Sequence, residues 1–170
     1  VAEGICREYL KRRPHDVDAI RLLAEIGITL GMLDEAIVLL ERCLELAPNF
    51  TIAQANYATA LARRQRFDEA LDRTGRLQIE QPDNLSHKVQ HASILAMAGR
   101  FEPAHQKFEE VLTYIPGNAR ILTSYGHSLR YGGRGEDAAG AYQRAIAAEP
   151  HAGEAYWSLA NLKTFKFDDA

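Results

Sequence analysis

The chain has 170 residues, 46% of them hydrophobic and 25% charged, with a net charge of -3 and a pI near 6.1. That balance suits a folded protein and argues against a nucleic-acid partner, which would call for a basic stripe. No apolar run approaches the roughly 18 residues of a membrane helix and no signal peptide opens the chain, so no membrane partner is expected. Cys6 and Cys43 are far apart and fall in apolar columns, which predicts free buried thiols and suits a reducing cytoplasm.

Pro14, Pro48, Pro82, Pro116 and Pro150 are spaced by 34 residues without slippage, and only Pro103 stands outside the series. A fixed period of this length signals stacked repeats. Other columns keep the same register. One small-residue column reads Ala24, Ala58, Ala92, Gly126, Ala160, and a second reads Ala2, Ala36, Ala70, Ala104, Ala138. Just before the first lies a large one: Leu23, Tyr57, His91, Tyr125, Leu159. A turn column holds Gly31, Gln65, Gly99 and Gly133. Paired small columns let helices approach closely, with the large side chains filling the space beside them.

In chain order, residues 1–16 carry Ala2, Ile5, Tyr9 and Leu10 at helical spacing. In the common register this is the second helix of a repeat whose first helix is missing. With no initiator methionine, the reading is an excised or trimmed fragment with an apolar flank open to contact. Full repeats follow at 17–50, 51–84, 85–118 and 119–152. In each, a first helix runs to the turn column and a second starts at an acidic residue or proline and ends at the periodic proline. Asp34-Glu35, Asp68-Glu69 and Glu136-Asp137 complement the helix dipole. Pro103 falls in a first helical turn, where a missing N–H costs nothing. Residues 51–84 read as the loosest repeat, with Thr74 where the others have Leu40, Phe108 and Tyr142, and Gly75 in mid-helix. Residues 153–170 begin a fifth repeat, in which FKFDDA arrives two residues ahead of the period.

The stretches LLAEIGITLGMLDEAIVLLERCLELAP, NYATALARRQRFDEAL and SYGHSLRYGGRGEDAAGAYQRAIAAEP resemble tetratricopeptide repeats. The resemblance covers nearly the whole chain. It implies an all-α fold, a right-handed α-α superhelix of antiparallel helix pairs whose concave groove takes a protein or peptide. The stretch GEAYWSLANLKTFKFDDA is more particular and resembles the last repeat of bacterial proteins in which such an array precedes a sulfotransferase domain. That second resemblance implies a parent enzyme moving a sulfuryl group from 3'-phosphoadenylyl sulfate, with a following catalytic domain of the same chain as a possible neighbour.

The chain itself holds no catalytic constellation and implies no cofactor. Gly132-Gly133-Arg134-Gly135 is the one glycine-rich stretch, but it lies on the turn column. No strand precedes it, and Glu136 and Asp137 beside it would repel a phosphate. His87 and His91 have a spacing that can bind metal, yet no Cys, Asp or Glu joins them in the register. They read as one core histidine (His91) and one surface histidine (His87).

What remains is a surface. In the family's architecture the first helix of each pair lines the groove. The register assigns to it Asp18, Arg21, Glu25 and Ile28, then Ile52, Ala55, Asn56, Thr59 and Arg63. Next come Ser86, Val89, Gln90, Ser93 and Met97, then Arg120, Thr123, Ser124, His127, Arg130 and Tyr131, and last Glu154, Trp157, Ser158 and Asn161. The series runs from mixed through small and neutral to basic and aromatic. Arg, Tyr and Trp are common binding hot spots, and guanidinium groups favour carboxylates or phosphates. This end therefore reads either as ordinary solvated surface or the docking face of a following domain, or as a site for a short acidic or extended peptide. A family subtype that clamps a C-terminal carboxylate does so with Lys and Asn. Here Arg21, Glu25, Ala55 and Thr59 stand at the matching positions, so that clamp is not expected. Self-association through the cut helical ends is the remaining partner reading.

Overall fold

A computed structural model describes residues 1–162, which form ten α-helices and, among the described residues, no strand. They are α1 (Ala2–Arg12), α2 (Val17–Leu30), α3 (Leu33–Leu46), α4 (Thr51–Arg63) and α5 (Phe67–Glu80), then α6 (Leu85–Met97), α7 (Phe101–Tyr114), α8 (Ala119–Tyr131), α9 (Gly135–Ala148) and α10 (Gly153–Ala160). The FKFDDA stretch, expected to run ahead of the period, lies outside the described residues. The helices alternate in two series, α2, α4, α6, α8, α10 and α3, α5, α7, α9. Within each series successive helices start one 34-residue period apart. None of the described helices is long and apolar enough to cross a membrane.

The helix ends follow from backbone chemistry. Every residue before a periodic proline is pushed toward extended geometry by the proline ring. Arg13, Ala47, Gln81, Ile115 and Glu149 accordingly cap α1, α3, α5, α7 and α9 with ψ between 68° and 98°. At the turn column the chain passes through the left-handed region, with φ of 80° at Gly31, 63° at Gln65, 74° at Gly99 and 81° at Gly133. Glycine takes that conformation without strain, and Gln65 is the one position in the series that does not use it. Asp16 and Asn118 cap α2 and α8 by accepting the amide hydrogens of Ala19 and Ile121, each at 3.0 Å. The helices of the other series lack side-chain caps but open with acidic first turns.

The chain forms two compact units, Val1–His87 and Lys88–Ala170. In the first, each helix from α1 to α5 packs on the next, and α2 also reaches α4. In the second, α7 packs on α8, α8 on α9 and α9 on α10, while α8 also reaches α10. Short links between packed neighbours make each successive pair antiparallel. Three columns of the second series form the floor of this packing: Ala36, Ala70, Ala104 and Ala138; Leu40, Thr74, Phe108 and Tyr142; Cys43, Leu77, Val111 and Ala145. All twelve are 0% exposed.

The small column does what close packing asks of it. A Cβ on Gly126 would lie 2.5 Å from the buried Tyr142 ring, so the helix approach there depends on glycine. Thr74, expected to loosen its repeat, is fully buried, and its hydroxyl donates to the Ala70 carbonyl at 3.1 Å. Its polar atom is satisfied within its own helix. Cys43 is buried as expected, but Cys6 is only half-buried because α1 has no buried residue at all. The two histidines also depart from expectation. His87 is the buried one, 6% exposed with Nε2 3.2 Å from Gln81 Oε1, and His91 is the half-buried one.

Candidate partner-binding surface

In the first unit, Arg21 and Glu25 sit one turn apart on α2 and pair with each other. Asn56 on α4 is half-buried. Arg63, at the end of α4, reaches across to α2 and donates to the Ile28 carbonyl. The guanidinium thereby covers an exposed helix end rather than standing free for a ligand. Ile28, assigned to the open face by register, is instead core, at 8% exposure. It is buried on a helix that packs against α1, α3 and α4.

The second unit carries the stronger candidate. Gln90 on α6 is half-buried and Arg120 on α8 is exposed. Further along α8, Arg130 lies with its guanidinium 4.9 Å from the Tyr131 ring centroid, while Tyr131 is 68% exposed. Trp157 on α10 is 66% exposed, and Asn161 donates to the Trp157 carbonyl at 2.6 Å. A cleft of about 290 Å³ opens beside Tyr131, floored by Phe108 and walled by Ala96, Met97, Ser124 and His127. Sites for small ligands usually measure about 300–1,000 Å³, so this one suits a side chain rather than a whole metabolite. Thr123 and Ser158, also assigned to the open face, are buried. Thr123 donates to the Ala119 carbonyl at 2.8 Å, and the Ser158 hydroxyl lies 3.0 Å from His127 Nε2.

His127 links the cleft to the core. Its ring meets Tyr142 edge-on at 5.6 Å, and Glu154 lies 4.0 Å from Nε2. Burial pulls its pKa below the usual imidazole value despite Glu154, so the ring is neutral near pH 7. The same burial pushes the Tyr142 phenol up to about 12. Neither group is poised for acid–base chemistry at neutral pH. No cluster of three metal-ligating side chains occurs among the described residues. The glycine stretch at 132–135 is a turn into α9, with Gly133 in the left-handed region.

One recurring feature is not evident from the repeat columns. Tyr57 donates to Glu41 at 2.8 Å and carries the Arg73 guanidinium 5.0 Å from its ring. In the second unit Tyr125 donates to Glu109 in the same way, two periods on. Each bond ties a first helix to the second helix before it. The repeated Glu–Tyr spacing was the available signal.

Family models described as tetratricopeptide repeat match residues 28–90 and 125–162. No curated protein matches the sequence. Among solved structures, TTC0263 from Thermus thermophilus, a thermophilic TPR protein, is similar with a TM-score of 0.82 at 17% identity, over 94% of this chain and 88% of that one. A tetratricopeptide repeat protein from Parabacteroides merdae gives 0.74 at 17% identity, over 94% and 64%. MamA from Desulfovibrio magneticus gives 0.65 at 16% identity, over 86% and 94%.

Proposed function

The chain belongs to the tetratricopeptide-repeat family, and from that premise we propose that it is a binding scaffold that holds an acidic peptide segment of a protein partner. The observation that carries this reading is the pair of exposed aromatics on α8 and α10, two helices that pack on each other, with a cleft beside the first. Tyr131 and Trp157 are two-thirds exposed, Arg130 is stacked on Tyr131, and a cleft of about 290 Å³ opens next to Tyr131. Large exposed aromatics beside a concave site are costly to leave in water and are the usual anchors of an interface. Arg120 and Arg130 supply the charge that an acidic segment would meet. Gln90, in the same unit, would act as a flanking polar contact, and His127 and Asn161 as groups that shape this surface. The chain then works by positioning its partner, as a single array of repeats with no catalytic role or cofactor, in a reducing cytoplasm that keeps Cys6 and Cys43 as thiols.

The test is capture from source-cell lysate on the immobilised chain, against a variant carrying Arg130→Glu and Trp157→Ala. A protein held by the native chain, released by moderate salt and lost by the variant supports the reading. Equal retention by both, or by neither, removes it.

A second reading rests on the stretch GEAYWSLANLKTFKFDDA, which resembles repeats that precede bacterial sulfotransferase domains. On that reading the array is an arm that selects the acceptor substrate for a following catalytic domain. Sequencing the gene beyond the codon for Ala170 decides it: a phosphate-binding loop domain downstream supports the arm, and any other continuation removes it.

A further inference from the structure

The cleft beside Tyr131 differs between its inside and its edge. No charged side chain is among the described residues that line it, and His127, which does line it, is neutral near pH 7. The arginines stand outside. Arg120 lies one turn before Ser124 on α8, and Arg130 has its guanidinium over the Tyr131 ring. A carboxylate drawn into the cleft would lose its water and meet no cation there. Acidic residues of a bound segment therefore stay at the edge, and what enters is uncharged.

At depth, Ser128 is a polar group left without a partner. Helix hydroxyls in this chain commonly bond back: those of Thr29, Thr59, Ser93, Thr123 and Ser124 each donate to the carbonyl four residues earlier. Ser128 has the Ser124 carbonyl at the same distance along the helix and does not use it. The residue is 2% exposed, and its Oγ has no hydrogen-bond partner among the described residues. A buried hydroxyl in that state is costly, and a ligand hydroxyl, which can both donate and accept, satisfies it. The surroundings suit an aromatic ring. Phe108 forms the floor, and Met97 and Tyr131, each at least half exposed, stand at the mouth. Thioether–ring and ring–ring contacts favour an aromatic occupant over an aliphatic one.

We propose that this cleft is the specificity pocket of the binding surface and takes an unmodified tyrosine side chain of the partner, its ring among Met97, Phe108 and Tyr131 and its hydroxyl at Ser128. The assignment rests on the reading of this surface as a peptide site and adds the one residue that the acidic segment must contain. Phenylalanine would fill the ring space and leave Ser128 unpaired. Phosphotyrosine would bring its charge into a lining that holds no cation.

The experiment uses the full chain with isotope-labelled methionine methyl groups and p-cresol, the tyrosine side chain freed of its backbone, as the probe. The chain has two methionines, so Met97 reports on the cleft and Met32, in the other unit, is the control. p-Cresol should shift the Met97 methyl resonance saturably and leave that of Met32 in place. Toluene, the phenylalanine counterpart, should bind about fivefold more weakly, the worth of one hydrogen bond. p-Tolyl phosphate should bind more weakly still. In Ser128→Ala, with unchanged helical circular dichroism, p-cresol should lose its advantage, because toluene is the more apolar of the two. Toluene that binds the native chain as tightly as p-cresol overturns the proposal. So does a phosphate ester that binds best, a Met97 resonance that does not move, or an advantage that survives Ser128→Ala. The peptide reading fails separately. Capture lost in the Arg130→Glu, Trp157→Ala variant while p-cresol does not bind removes the pocket and leaves the surface. Equal capture by both chains while p-cresol binds removes the surface, and the pocket's tie to a partner falls with it.

Discussion

Gly126 is where a single missing Cβ sets how closely two helices approach. Tyr142 beneath it is fully buried, and a methyl group at Gly126 would sit 2.5 Å from the ring. Backbone freedom is not the issue, because Gly126 lies within α8 and has no positive φ. Gly126→Ala should therefore destabilise, by about 1–3 kcal/mol as for other overpacked cores, although alanine is the better helix former. Urea unfolding measures this directly, and pairing it with Tyr142→Leu should recover most of the loss. The small-residue column was readable in the sequence. That Gly126, the one glycine in the column, faces the Tyr142 ring was readable only by setting the Tyr142 column beside it.

At the scale of the element, α5 carries a removable weakness. Gly75 lies inside the helix, and a Cβ there would meet nothing within 4 Å. Gly75→Ala should stabilise by about 1 kcal/mol through helix propensity alone, seen as a higher urea midpoint with an unchanged slope. Residue type alone makes Thr74 a second source of looseness in this repeat. The structure removes Thr74 from that account, since its hydroxyl is bonded to the Ala70 carbonyl and its side chain is fully buried. Helix ends were more legible than helix faces. Proline and glycine act on their own backbone and that of the preceding residue, so α1, α3, α5, α7 and α9 end where the prolines say they must. Which residues of a helix face inward depends on neighbours far along the chain. That is why Ile28, Thr123 and Ser158 proved to be core, and why His87 proved to be buried and His91 half-buried.

Across the whole molecule, three half-buried or buried histidines give stability a pH dependence. Burial lowers the pKa of His87, His91 and His127 below the ordinary value of about 6.5. The unfolded chain therefore binds protons more readily than the native one in this range. Their contribution is full above pH about 6.5 and is lost as pH falls through the depressed native values. The urea midpoint should accordingly drop between pH 7 and pH 5, before the carboxylates titrate. Replacing His91 and His127 with Gln should flatten that slope, and an unchanged slope would place its origin elsewhere.

By itself, the sequence determined the 34-residue period, the helix-pair architecture and the positions of the turns, because these are written in local backbone preferences repeated at fixed spacing. It also pointed to Arg130, Tyr131 and Trp157 as large side chains on one face. Only the tertiary structure decided which polar residues are consumed internally, as Arg63 is by the Ile28 carbonyl and Tyr57 by Glu41. It alone showed that the columns buried on α3 and α9 lie open on α1. A column's burial is a property of the helices that meet over it, and no single stretch of chain carries that information.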